Sequence, residues 1–234
     1  MPKDLFILEL KKLNIECTED ILNKLDTYYH LLVEWNKVMN LTAITKEEDV
    51  YLKHFYDSLT ITSVIDLNTI TSLCDVGTGA GFPGLVLKIF YPHIHLTLVD
   101  SLNKRITFLN EVIKVLDLKE VVTIHSRAED YAKVHREKYD LVTARAVASL
   151  PILLEYCIPL AKVNGYFIPL KGSIDEENDS LKAISILDIK LEEKKELVLP
   201  IEFSKRILYK FKKLKVTNKL YPRKPVDIEK KPLK

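Results

Sequence analysis

From residue 70 onward the chain alternates short apolar runs with amphipathic stretches of about 10–15 residues, and no other feature restricts its fold as strongly. The runs are Leu73–Val76, His95–Asp100, Val121–Ser126, Tyr139–Ala144 and Tyr166–Lys171. Between them lie Pro83–Tyr91, Leu102–Leu116, Ala128–Glu137 and Leu150–Lys162, which read as helices. Runs apolar on both faces suit strands covered by helices above and below, so the pattern predicts βαβ units around a buried parallel sheet. Two longer alternating segments, Lys190–Leu199 and Arg206–Val216, have no helical pattern between them and suit an antiparallel pair at the sheet edge. The expected fold is α/β and Rossmann-like: a mostly parallel seven-stranded sheet ending in an antiparallel strand pair.

The first third reads differently. Ile21, Leu25, Tyr28, Leu32, Trp35 and Met39 recur every three or four positions and form one helical stripe, with Thr18 placed to cap it. A shorter helix is expected around Leu5–Leu13 and another over roughly Glu47 to Ile65. This stripe is expected to serve core packing. Residues 1–66 are thus expected to form a helical cap packed on a core of residues 67–234; the sequence carries no repeats and no low-complexity linker.

The net charge of +2 conceals an asymmetry. Residues 205–234 hold twelve Lys or Arg against Asp227 and Glu229, giving +10 and leaving −8 for the rest. Such a tail points to a polyanion, either nucleic acid or an anionic surface. The segment Arg206–Val216 alternates with strand period and lacks a wide apolar helical face, which disfavours a membrane role. Cys17, Cys74 and Cys157 are widely spaced, with no CxxC or Cys/His cluster, so neither a disulfide framework nor a metal site is expected. The start is too charged for a secretory signal, and no apolar run approaches a bilayer span. A cytoplasmic monomer is the default expectation.

Four of the six glycines fall within eight positions: Gly77, Gly79, Gly81 and Gly84. They follow the strand Leu73–Val76, and Pro83 suits the first turn of the next helix. A cofactor can therefore sit over the strand's carboxyl end, where doubly wound sheets bind ligands. Gly79-Ala80-Gly81-Phe82-Pro83-Gly84 matches GxGxxG, so a dinucleotide remains an alternative. Against it stands Asp75, an acid at the end of the strand where dinucleotide folds carry an apolar residue. S-adenosylmethionine bears an ammonium and a carboxylate, which an acid and the turn's N–H groups can share. Asp100, ending the second strand, can accept from ribose hydroxyls of either cofactor. Ala128 and Glu129, after the third strand, face where an adenine edge would lie, and Arg145 ends the fourth strand beside the transferable methyl.

The substrate is constrained by what is missing. No Asn/Asp-Pro-Pro-aromatic tetrapeptide is present to orient an exocyclic amine. Cys157 sits in an apolar helix, a poor place for the thiolate that cytosine C5 chemistry needs. Guanine N7 offers an in-plane lone pair and no proton to lose, so alignment alone can suffice. Lys104, Arg105, Lys171, Arg223 and Lys224 are the candidate phosphate contacts, the last two stiffened by Pro222 and Pro225 into an extended clamp.

These residues, in order, resemble the RsmG (GidB) methyltransferases. The resemblance rests on Trp35-Asn36-Lys37 with Asn40–Ile44, His54–Leu59, Asp75–Gly84, Leu98–Ser101 with Lys104-Arg105, Arg127–Glu129, Ala144–Ala148, Lys171-Gly172 and Tyr221–Pro225. It implies a class I methyltransferase fold and methyl transfer from S-adenosylmethionine to N7 of a guanosine in bacterial 16S ribosomal RNA, near the decoding centre of the small subunit. It also implies cofactor contacts at Gly77, Phe82, Ala128, Glu129 and Arg145, and RNA contacts from basic residues around the cleft; Gly79 and Asp100 join the expected cofactor set from the turn and strand-end readings above, and Arg145 is the catalytic candidate. After Pro225 the family continues with glycine and another proline, whereas this chain reads Val226-Asp227-Ile228-Glu229. His54 and Asp57 belong to the resemblance, but their types and spacing suggest only a tie between cap and core.

Overall fold

A computed structural model describes all residues, 1–234. Seven strands form one sheet: β1 (Ser72–Val76), β2 (His95–Asp100), β3 (Val121–His125), β4 (Tyr139–Arg145), β5 (Ala161–Lys171), β6 (Ile189–Val198) and β7 (Lys205–Lys213). Their order is β3-β2-β1-β4-β5-β7-β6. The first five pair in parallel; β7 is antiparallel to both β5 and β6. The expected mixed sheet and its closing antiparallel pair are therefore present. Strand order reverses between β1 and β4, and this switch point opens a crevice at the strands' carboxyl ends.

Helices α1 (Lys3–Lys12) and α2 (Glu19–Met39) begin the chain, and the Thr18 hydroxyl accepts from the Ile21 N–H as a side-chain cap. α2 ends at Asn40, whose φ of 50° puts it in the left-handed region. The helix expected over Glu47–Ile65 is present as one continuous helical run from Glu47 to Ser63: α3 (Glu47–Val50), a π-helical turn Tyr51–Tyr56, α4 (Asp57–Leu59) and a 3₁₀ turn Thr60–Ser63. Next come α5 (Gly84–Phe90), α6 (Asn103–Val115), α7 (Ala128–Val134) and α8 (Leu150–Cys157). α8 stops short of the expected Lys162. Pro159 follows in a 3₁₀ turn, Ile158–Leu160, and leaves β5 to start at Ala161. Two short helices, α9 (Leu181–Ile186) and α10 (Pro225–Lys230), escaped the sequence pattern.

One core runs through the cap and one face of the sheet. Phe6, Tyr28, Leu32 and Phe55 from the cap join Leu73, Leu98 and Phe108 from the βα units, all essentially inaccessible. Tyr28 lies at its centre. Its ring stacks on Phe82 at 5.4 Å, and its hydroxyl donates to the Ala80 carbonyl inside the glycine-rich turn. A long α2 side chain thereby fixes the loop that faces the crevice. The opposite face of the sheet is covered by α8, α9 and the C-terminal residues Ile228 and Leu233.

Candidate active site

The glycine-rich turn is held from both flanks. The N–H groups of Gly77 and Thr78 both donate to the Val99 carbonyl, at 2.8 and 3.1 Å, tying the turn to β2. Gly77 has φ +68°, and a Cβ there would meet Val147 Cγ2 at 2.5 Å, so backbone and neighbour both require glycine. Asp75 is fully buried behind the turn. Its Oδ2 accepts from the Thr78 hydroxyl at 2.7 Å and from the Gly84 N–H, the first residue of α5, at 2.8 Å. Burial pushes the carboxyl up to about 6 despite these two donors, and its Oδ1 has no partner. The sequence assigned Asp75 to an ammonium. The structure commits one oxygen to shaping the turn and leaves only Oδ1 for a ligand.

Beyond the turn lies a cleft of about 380 Å³, lined by Gly77, Asp100, Arg105, Ala128, Glu129 and Val147 among others. Asp100 is nearly inaccessible; its Oδ2 accepts from Gly79 N–H and its Oδ1 from Leu102 N–H, each at 2.9 Å. Arg105 pairs with the same carboxylate at 3.2 Å. Four of the cofactor residues expected from sequence (Gly77, Asp100, Ala128 and Glu129) meet around this space, and Gly79 reaches it through Asp100. Phe82 does not. It is buried among Tyr28, His54 and Arg145, where it orients the turn from behind. A narrow cleft flanked by buried carboxylates fits a nucleoside bearing an amino-acid end, although the N–H groups of Gly77, Thr78, Gly79, Gly81, Phe82 and Gly84 are already donated within the chain, and no group of three His, Cys, Asp or Glu is placed to hold a metal.

Arg145 turns toward the cap. One Nη1 donates to the Lys53 carbonyl at 2.9 Å and to Asp57 Oδ2 at 3.0 Å, while Nη2 lies 3.1 Å from His54 Nδ1. The guanidinium also sits 5.3 Å from the Phe82 ring centre. Burial first, and the Arg145 charge second, push His54 down to about 3, so the ring is neutral. Nδ1 then accepts from Arg145, and Nε2–H donates to Thr42 Oγ1 at 3.0 Å. The Thr42 N–H in turn donates to Asn36 Oδ1. Asp57, almost wholly buried, takes a second arginine, Arg206 from β7, at 2.9 Å. The π-helical turn presents the Lys53 carbonyl and His54, and Asp57 follows it directly, so all three meet one guanidinium. Arg206 was not singled out in sequence, because nothing local marks a strand arginine as the partner of an acid 149 residues away.

The candidate RNA cations are mostly engaged within the chain. Lys104 donates to the Met39 carbonyl at the end of α2, and Arg105 covers Asp100. Lys171 pairs with Glu176 at 2.8 Å and donates to the Ala148 carbonyl. The expected extended clamp at Tyr221–Pro225 is instead a docked segment. Arg223 makes a forked pair with the fully buried Glu155, by Nε to Oε1 at 2.9 Å and Nη2 to Oε2 at 2.7 Å. Lys224 alone of the five is exposed and unpaired. Glu155 was overlooked in sequence, although a carboxylate inside the apolar run of α8 was a signal. Cys157 is fully buried, and burial pushes its thiol upward, away from nucleophilic duty.

The sheet order, the reversed final pair and a cleft at the carboxyl ends of β1, β2 and β3 define the class: the Rossmann-like methyltransferase fold. Solved structures with this arrangement include the ribosomal protein L11 methylase from Lactobacillus delbrueckii subsp. bulgaricus, at TM-score 0.51 and 16% identity over 74% of this chain and 81% of that one. Another is TYW2 from M. jannaschii in complex with AdoMet, at TM-score 0.51 and 17% identity over 61% and 69%. Within that class the rRNA small subunit methyltransferase G (GidB) family model matches residues 21–200. The ribosomal RNA small subunit methyltransferase G of Lysinibacillus sphaericus is 50% identical along the full length of both chains, and that of Bacillus pumilus 49% identical over 97% of each. The chain belongs to this methyltransferase family.

Proposed function

We propose that this protein transfers a methyl group from S-adenosylmethionine to N7 of a guanosine in 16S ribosomal RNA near the decoding centre, acting as a cytoplasmic monomer. The observation that carries the reading is the meeting of Gly77, Asp100, Ala128 and Glu129 around one cleft, at the strand edge where β4 delivers Arg145. When bound, the cofactor supplies an electrophilic methyl on a sulfonium. Asp100 accepts from the ribose, the backbone at Ala128 and Glu129 meets the adenine edge, and Asp75 Oδ1, the oxygen without a partner in the chain, receives the ammonium of the amino-acid end. Arg145, held by His54 and Asp57, fixes the cap against the site and orients the incoming base. No side chain is required to remove a proton from N7, so positioning carries the rate.

On this reading residues 1–66 form the substrate-side cap, and Lys104, Arg105, Lys171, Arg223 and Lys224 lie along the RNA path. Lys224 is the most direct phosphate contact. The test uses small-subunit RNA and particles from a strain lacking this protein, incubated with labelled S-adenosylmethionine and then mapped for N7-methylguanosine. Label at one guanosine is expected. Transfer to another base, or to a small molecule but neither ribosomal substrate, would refute the proposal.

A further inference from the structure

The departure after Pro225 leads to a place the sequence did not suggest. Val226–Glu229 forms most of α10, with Ile228 fully buried against the α8 side of the sheet. The segment entering α10 is fastened by the Arg223 fork on Glu155 and by Arg136, whose Nη1 donates to the Tyr221 carbonyl at 2.6 Å. Arg223 also donates to the Lys231 carbonyl, closing the far side of α10. The residue beside Glu155 on α8 is Tyr156, which is 8% exposed and lines the cleft. The neighbour of Ile228 is Glu229, which lines the same cleft. One turn of α8 therefore anchors the tail with Glu155 and meets the cleft with Tyr156, while one turn of α10 does the same with Ile228 and Glu229.

From this geometry we infer that the C-terminal helix is a wall of the cofactor cleft, and that Glu229 recognises the exocyclic amino group of the cofactor's adenine. The inference rests on the cofactor assignment made above. Gly77 and Asp100 occupy the turn-side rim, where the amino-acid and ribose ends belong. Ala128, Glu129, Tyr156 and Glu229 line the rim contributed by α7, α8 and α10, of which α7 and α10 both pack on α8. A carboxylate there accepts from the N6 amino group, whereas hypoxanthine places the acceptor O6 at that position and carries its edge donor only at the neighbouring N1. A site built to bind a donor disfavours the analogue that lacks it, because the acceptor is left unpaired. Arg127, on the same rim, is 3.8 Å from Glu129 and partners that carboxylate, so the Glu229 carboxylate is the one left for the ligand.

Calorimetric titration of S-adenosylhomocysteine and S-inosylhomocysteine into the wild-type protein, Glu229→Ala and Glu229→Gln tests this. The wild type is expected to prefer the adenosyl ligand at least tenfold. Glu229→Ala should weaken that ligand about fivefold or more while sparing the inosyl one. Glu229→Gln, whose amide can donate to O6, should narrow the preference further or reverse it. Glu229 is exposed and makes no intramolecular ion pair, so both variants should fold as the wild type does. An unchanged preference in both folded variants overturns the inference and leaves the cofactor assignment standing. Failure of the wild type to bind either ligand overturns both.

Discussion

At the scale of single residues, the site is governed by charges held away from water. Asp75 has a carboxyl raised from 3.8 to about 6 in the folded chain. The folded state thus holds a proton that the unfolded state releases between those values. Its stabilising contribution is present below about pH 4 and lost as pH rises through 6, costing about 3 kcal/mol at neutrality. The expected outcome is that Asp75→Asn removes this component: the wild-type minus mutant difference in urea-unfolding free energy should fall by that amount from pH 4 to pH 7. Arg145 carries a second expectation. Its loss leaves Asp57 with Arg206 alone and frees His54 from a neighbouring cation. Arg145→Ala should destabilise the fold by about 3 kcal/mol, raise the His54 pKa in an NMR titration, and reduce methyl transfer by at least a hundredfold. A drop in transfer with no change at His54 would place the arginine's role elsewhere.

Among elements, the C-terminal segment departs furthest from its sequence reading. Twelve cations in thirty residues suggested an RNA arm, yet Arg223 is forked onto Glu155 and Lys213 is buried against the Ile158 and Ala161 carbonyls. Arg223→Ala should leave Glu155 as an uncompensated buried charge and cost about 3–5 kcal/mol in chemical denaturation. It should also loosen α10 and weaken S-adenosylhomocysteine binding, an effect a free RNA arm would not produce. What was legible in the chain were the periodic elements: five strands alternating with four helices, the final strand pair, the α2 stripe and its Thr18 cap. These follow from short-range patterns of burial. Illegible were pairings that depend on where distant segments meet, such as Arg206 with Asp57 or Glu229 with the cleft. Asp75 was intermediate: its position before the turn signalled the cofactor class, but its partners, Thr78 and Gly84, could not be distinguished from a ligand by spacing alone.

For the whole molecule, cap and sheet share one core through Phe6, Tyr28, Phe55 and Phe108, so the cap has no separate interior of its own. Calorimetry should therefore record a single melting transition for residues 1–234, with cap and sheet probes (Trp35 fluorescence and far-ultraviolet dichroism) losing signal together. RNA affinity should fall steeply with salt. If Lys224 meets a phosphate, Lys224→Ala should reduce the slope of log K against log salt by roughly 0.7 for a single-stranded contact.

The π-helical turn Tyr51–Tyr56 has an implication for how the chain tolerates change in length. A π turn holds one more residue than the α turn it replaces, and each residue of an α-helix advances about 100° around the axis. Removing any single residue from this stretch would allow an ordinary helix to form. Because the π turn absorbs that extra residue, α3 and α4 would keep their register, and the change would fall on the turn itself, displacing the Lys53 carbonyl and His54 from Arg145. The helix itself would become more regular while the enzyme lost its grip on the arginine. Along this stretch, the number of residues matters as much as their identity, and single-residue deletions should be far more damaging here than conservative substitutions at the same positions.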